Sequence, residues 1–298
     1  METTELLKKV RKIEIKTRGL SSHIFSGEYH SAFKGRGMAF SEVREYQPGD
    51  DVRSIDWNVT ARYNHPFVKV FEEERELTVM LVVDVSASEN FGTQKQLKTD
   101  LVTEICAVLA FSAIQNNDKI GVIFFSDKIE KFISPKKGKS HILRIIRELI
   151  DFKPESSGTD IDLALRYLTN AIKKRSIAFL ISDFIDEKFL HEHKTNSDAL
   201  RIANKRHDLV ALRIKDKRES ELPNVGLIRV EDAETGKIKW IDTSSEKTRK
   251  LYHTASLKRD ARMKEIFLRS GIDNTTISTS ESYIRPLMNL FKKRESKR

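Results

Sequence analysis

Short runs of β-branched and aromatic residues recur along the middle of this chain, each separated from the next by enough residues for a helix. Leu77–Val83, Lys119–Phe125, Ser176–Asp183 and Asp208–Lys215 are largely apolar at consecutive positions, the pattern of strands covered on both faces. Helical stripes fill the intervals. Gln94–Gln115 aligns Leu97, Leu101, Ile105, Val108 and Leu109, and Ser140–Phe152 aligns Ile142, Ile145, Ile146 and Leu149. Asp160–Lys174 aligns Ile161, Ala164, Leu165, Leu168 and Ile172, and Asn196–Arg206 is a further helix candidate. Strand and helix patterns in alternation predict an α/β fold, a mostly parallel sheet with helices on both faces. Lys128–Ile133 reads as a short edge hairpin strand.

Oxygen-bearing side chains collect where these runs end. The first run closes on Asp84-Val-Ser86-Ala-Ser88, the third on Ser182-Asp183, and Ser157-Gly-Thr159-Asp160 is a turn leading into a helix. Ligands of open α/β sheets bind beyond the carboxyl ends of the strands, where strand order reverses. If the strands carrying Asp84 and Asp183 are neighbours, two carboxylates and three hydroxyls surround one small volume. Hard oxygen donors of this kind suit Mg²⁺ or Mn²⁺. Without a cation the carboxylates repel and one pKa rises. Any one of these segments taken alone reads as helix capping, with Thr159 or Asp160 capping the next helix. The three together, in this order, point to a metal.

Outside this stretch the texture changes. Residues 1–76 open with an amphipathic charged helix and become polar, with turn signals at Gly35-Arg-Gly37 and Gln47-Pro-Gly-Asp50. Asp56-Trp57 and Pro66–Phe71 read as strand material. Residues 77–243 form the core domain, closing with a hairpin of Val225–Val230 and Lys237–Ile241. Residues 244–298 complete it with a long helix over Ser244–Ser270, a stop at Gly271, a last strand over Asn274–Thr279 and a short helix before the basic tail.

Composition narrows the function classes. Of the 298 residues, 39% are hydrophobic, enough for a sizeable core, and 33% are charged, which implies a heavily charged surface. Cys106 is the single cysteine and lies in an apolar helical pattern, so it reads as a small buried hydrophobe. No apolar run approaches the ~18 residues of a membrane helix, and the first residues lack a signal-peptide core, so the expected location is cytoplasmic. The formal charge of +10 is spread among acids and is densest at Lys292–Arg298. No ribonucleoprotein or zinc-finger motif accompanies it. His191-Glu-His193 lacks the spacing of zinc enzymes, and there is no nucleophile elbow, dinucleotide fingerprint or P-loop.

Asp84-x-Ser86-x-Ser88 followed by Thr159 and Asp183 resembles the metal-ion-dependent adhesion site of von Willebrand factor A domains. That resemblance implies one weak Mg²⁺ or Mn²⁺ site with Asp84, Ser86, Ser88, Thr159 and Asp183 around it, completed by an acidic residue of a partner. Glu42–Arg53, Ile55–Arg62, Pro66–Lys69, Phe71–Glu76, Gly121–Ser126, Ser182-Asp183-Phe184, Asp242-Thr243 and the stretch from Ile272 onward are similar to the bacterial domain-of-unknown-function 58 family. This likeness implies a von Willebrand factor A-like fold behind an N-terminal strand and helix extension. It further implies a non-catalytic interaction or adaptor module working with a MoxR-type AAA+ ATPase in protein maturation or stress tolerance. The Asp50–Arg62 signature carries no role by resemblance and reads as a turn with a salt-bridged strand pair. The competing readings are a Mg²⁺-dependent phosphohydrolase, against which stands the lack of a second-metal cluster or general base, and a basic nucleic-acid-binding protein.

Overall fold

The computed structural model describes residues 3–20, 38–73, 76–90, 97–186, 189–190, 195–231 and 236–296. In chain order its elements are α1 (Thr3–Leu20), β1 (Met38–Glu45), α2 (Trp57–Tyr63), β2 (Phe67–Glu73), β3 (Thr78–Asp84), α3 (Lys98–Gln115), β4 (Lys119–Phe125) and β5 (Ile129–Lys136). They continue with α4 (Lys139–Asp151), α5 (Ile161–Ala171), β6 (Ile177–Ser182), α6 (Thr195–Arg206), β7 (Asp208–Lys215), β8 (Leu227–Glu231), β9 (Ile238–Asp242), α7 (Glu246–Ser270), β10 (Asp273–Ser278) and α8 (Ile284–Glu295).

The apolar runs become one six-stranded sheet of order β10-β7-β6-β3-β4-β5, parallel except for β5. Period-two alternation sends successive side chains of each strand to opposite faces. Met80, Val82, Ile123, Phe125, Ala178, Leu180, Leu209 and Ala211 pack in one cluster with residues of α5, α6 and α7. The intervening Val79, Leu81, Val83, Val122, Phe124, Phe179 and Ile181 are equally buried, so both faces of the sheet are covered and the runs are continuously apolar. The mostly parallel α/β architecture with helices on both faces is therefore present as expected.

α3 is buried around most of its circumference, Cys106 included. It packs against α1 and α4 as well as the sheet, and burial pushes the Cys106 thiol pKa upward. Leu97 departs from the expected stripe. It is the N-cap of α3 rather than a helical residue and is 43% exposed. The expected beginning of this helix at 94–96 lies outside the described residues, as do Gly35–Gly37 and His191–His193. Ser245 caps α7 through the Thr248 amide, and Gly271 ends it in the left-handed conformation at φ 64°.

α1 groups with the chain from Thr78 onward, whereas the stretch from β1 to Leu77 forms a small unit of its own. There β1 and β2 pair antiparallel, from Met38 opposite Glu73 to Glu45 opposite Phe67. The Gln47–Asp50 turn closes through the Asp50 amide on the Gln47 carbonyl at 3.0 Å. Arg44 forks onto Asp50 at 2.7 and 2.8 Å, and Lys69 pairs with Asp56 at 3.3 Å. Asp56-Trp57 is not a strand. The Asp56 carboxylate accepts the amides of Asn58 and Val59 and so starts α2, a local capping bond that overrides the strand preference of the tryptophan.

Candidate metal centre

β3 pairs with β4 on one side and with β6 on the other, so strand order reverses between β3 and β6. Val83 sits opposite Ile181, which sends Asp84 and Ser182-Asp183 out of the same edge as neighbours. This meets the condition on which the expected site depended. A third segment is tied in by backbone: the Ala87 amide donates to the Ser157 carbonyl at 3.1 Å, and the Asp160 amide to the Ser126 carbonyl at 2.9 Å. Thr159, between these anchors, is buried. Asp160 spends its carboxylate on the Leu163 amide at the start of α5, so it is the cap and Thr159 is not.

Asp84 is buried, with one carboxylate oxygen on the Ser86 amide at 3.0 Å and the other on the Ser182 hydroxyl at 2.5 Å. Burial, then the nearby Asp183 charge, pushes its pKa up to about 7. The hydroxyl oxygens of Ser86 and Ser88 lie 3.1 Å apart. Asp183 takes the Ile185 amide on Oδ1 at 2.9 Å. Phe184 between them is left-handed at φ 59°, an uncommon state for a non-glycine residue. Its amide donates to Ser182 Oγ at 2.9 Å, and its ring stands edge-on to Phe267 at 5.1 Å. That buried anchorage holds the turn that presents Asp183.

Two residues unmarked by the sequence pattern complete the cluster. Lys98 opens α3, and its side chain is 1% exposed. Its ammonium donates to Asp183 Oδ2 at 2.7 Å and to the Ser88 carbonyl at 3.4 Å, and it pairs with Glu219. Burial raises the Glu219 pKa, and Lys98 opposes that rise. Lysine and glutamate are the commonest solvated residues, so neither periodicity nor spacing singles them out.

The donor set fits a hard divalent cation. Adjacent ligands of an octahedral shell with 2.0–2.1 Å bonds lie about 3 Å apart, which matches the separation of the Ser86 and Ser88 hydroxyls. With all four groups ionised, Asp84, Asp183 and Glu219 against Lys98 would leave two negative charges, a state that the raised Asp84 pKa opposes unless a cation is bound. Among the described residues there is no grouping of three or more His, Cys, Asp or Glu placed to hold a metal. The candidate centre combines the paired hydroxyls of Ser86 and Ser88 with the carboxylates of Asp84 and Asp183.

The chain has relatives among known proteins. The chain is 30% identical over 242 residues to the uncharacterized protein Rv1480 of Mycobacterium tuberculosis, covering 80% of this chain and 74% of that one. An aerotolerance-related membrane protein from Bacteroides fragilis superposes with a TM-score of 0.50 at 14% identity, over 74% of this chain and all of that one. A von Willebrand factor type A structure from Catenulispora acidiphila superposes at 0.36 and 11% identity, over 78% of this chain and 44% of that one. The family described as "Protein of unknown function DUF58" matches residues 42–262, and the chain belongs to that family.

Proposed function

We propose that this chain is a protein-interaction module whose binding surface is completed by a divalent cation, Mg²⁺ or Mn²⁺, at the edge between β3 and β6. The observation that carries the reading is the pair of converging serine hydroxyls backed by two buried aspartates at the point of strand reversal. Ser86, Ser88 and Thr159 would hold the ion, and Asp84 and Asp183 would balance its charge. When bound, the ion supplies an electrophilic coordination position that takes a carboxylate oxygen from outside. Every carboxylate oxygen of Asp84 and Asp183 already accepts a hydrogen bond within the protein. The protein's own contribution to the inner shell is therefore mainly neutral hydroxyl, which gives weak metal binding and a preference for an acidic partner.

Family resemblance supplies the candidate partner, a MoxR-type AAA+ ATPase, with the module as its adaptor in protein maturation or stress tolerance. A glutamate or aspartate of that partner would complete the shell, and the net charge of +10 would favour approach of an acidic surface at low salt. Calorimetric titration with Mn²⁺ is the first test: one weak site in the wild type and none in Asp84→Ala. The second is capture of the ATPase in Mg²⁺ and in EDTA, with Asp183→Ala as the variant. Loss of the complex in EDTA and in the variant supports the reading, while equal capture under all conditions refutes the metal bridge.

A further inference from the structure

Lys98 is out of place for a surface helix residue. It stands at the first position of α3, where a cation opposes the positive end of the helix dipole, and its side chain is almost wholly buried. An ammonium has three protons to donate. Here it meets the Asp183 carboxylate, the Glu219 carboxylate and the Ser88 carbonyl. These acceptors come from three parts of the chain: the end of β6, the short helical turn Lys217–Glu219 after β7, and the loop after β3. Two of the contacts fall on residues of the proposed metal centre.

We propose that Lys98 is a tethered cation that sets the affinity of this centre, occupying one oxygen of Asp183 and weakening the binding of a divalent ion. The inference rests on the metal-centre reading above and adds a residue that determines its strength. Three physical points support it. The ammonium lies against Asp183 Oδ2 at 2.7 Å, so that oxygen already has a cation. A fixed positive charge within a few ångströms of a divalent ion repels it, and burial reduces the screening. A buried pair of this kind is also a weak source of stability, because desolvating the charges offsets their attraction. Glu219 is the counterweight, since its carboxylate shares the Lys98 charge and so reduces the repulsion felt at the centre.

A lysine with a structural role alone predicts that its removal leaves metal affinity unchanged or lowers it by loosening Asp183. The tethered-cation role predicts the reverse sign. Lys98→Met keeps an unbranched side chain of similar length and removes the charge, so Mn²⁺ affinity measured by calorimetry should rise at least tenfold. Glu219→Gln keeps the lysine and removes its counterweight, so Mn²⁺ affinity should fall several-fold. By linkage, Mn²⁺ should raise the Tm of Lys98→Met more than that of wild type at the same concentration. If wild type binds Mn²⁺ and Lys98→Met binds equally or more weakly, the inference is wrong and the metal centre stands. If wild type, Lys98→Met and Glu219→Gln all fail to bind, both are wrong. Binding by Lys98→Met alone supports the inference in its strongest form. Should Lys98→Met not fold, Glu219→Gln decides: weaker binding than wild type supports the role, and equal or tighter binding overturns it.

Discussion

At the scale of single residues, His207 shows how burial sets a protonation state far from the candidate centre. Its ring is fully buried, Nδ1 lies 2.9 Å from the Ser176 hydroxyl, and among the described residues Nε2 has no hydrogen-bond partner. Burial first, then the charges of Arg206 and Arg175, lowers its pKa to about 4. The unfolded histidine titrates near 6.5. Between those values the unfolded chain takes a proton that the folded chain refuses, so stability falls as pH drops from 6.5 and levels off below about 4. The expected contribution is on the order of 1–3 kcal/mol. Urea denaturation of wild type and His207→Gln at several pH values isolates it as a difference. The variant should lose less stability between pH 7 and pH 5, and parallel profiles would show that the histidine does not carry this term. The centre itself is a residue-scale lesson of another kind. Asp84, Ser86, Ser88, Thr159 and Asp183 stand out as candidates only together, because each segment alone reads as helix capping. Lys98 is illegible because a lysine at the start of a helix is ordinary in sequence and exceptional only once buried.

At the scale of elements, the edge of the sheet depends on a close approach at Gly121. A Cβ there would lie 2.8 Å from the Ile133 carbonyl oxygen and 2.9 Å from the Pro135 nitrogen, both backbone atoms of β5. The register of β4 against β5 shifts at this point, between Ile120 and Val122. Pro135 lacks an amide to donate and is tolerated because β5 is the edge strand. Gly121→Ala should therefore force the two strands apart and destabilise the protein by about 1–3 kcal/mol, seen as a lower urea midpoint. A midpoint equal to that of wild type would mean that the close approach is not maintained in solution. The strands and most helices were readable because hydrophobic periodicity is local. Asp56-Trp57 departs from its strand pattern because side-chain capping by Asp56 outweighs the strand propensity of the residue after it. Leu97 falls on the apolar stripe in sequence yet caps the helix, because periodicity does not mark where a helix begins.

At the scale of the whole molecule, the basic charge is distributed rather than focused. Paired examples include Lys16 with Glu104, Lys131 with Glu148, and Arg213 and Lys215 with Asp260. An excess dispersed among ion pairs attracts polyanions without reading bases. Retention of duplex DNA in a mobility-shift assay should thus be independent of sequence and fall steeply between 50 and 200 mM salt. Sub-micromolar, sequence-selective binding at physiological salt would reverse that expectation. Among the described residues no helix is long and apolar enough to cross a membrane.

What the order of residues determined by itself was the class of fold and the set of candidate oxygen donors. Both are written in short stretches: apolar runs covered on two faces, helix-length intervals, and an acid with hydroxyls at the ends of strands. Tertiary structure alone decided that β3 and β6 are neighbours, that Ala87 and Ser126 hold the Thr159 loop from either side, and that Lys98 reaches Asp183 from 85 positions away. Strand pairing and buried ion pairing are non-local. They are set by which packing of the whole chain satisfies every buried charge at once, and no window of sequence contains that condition.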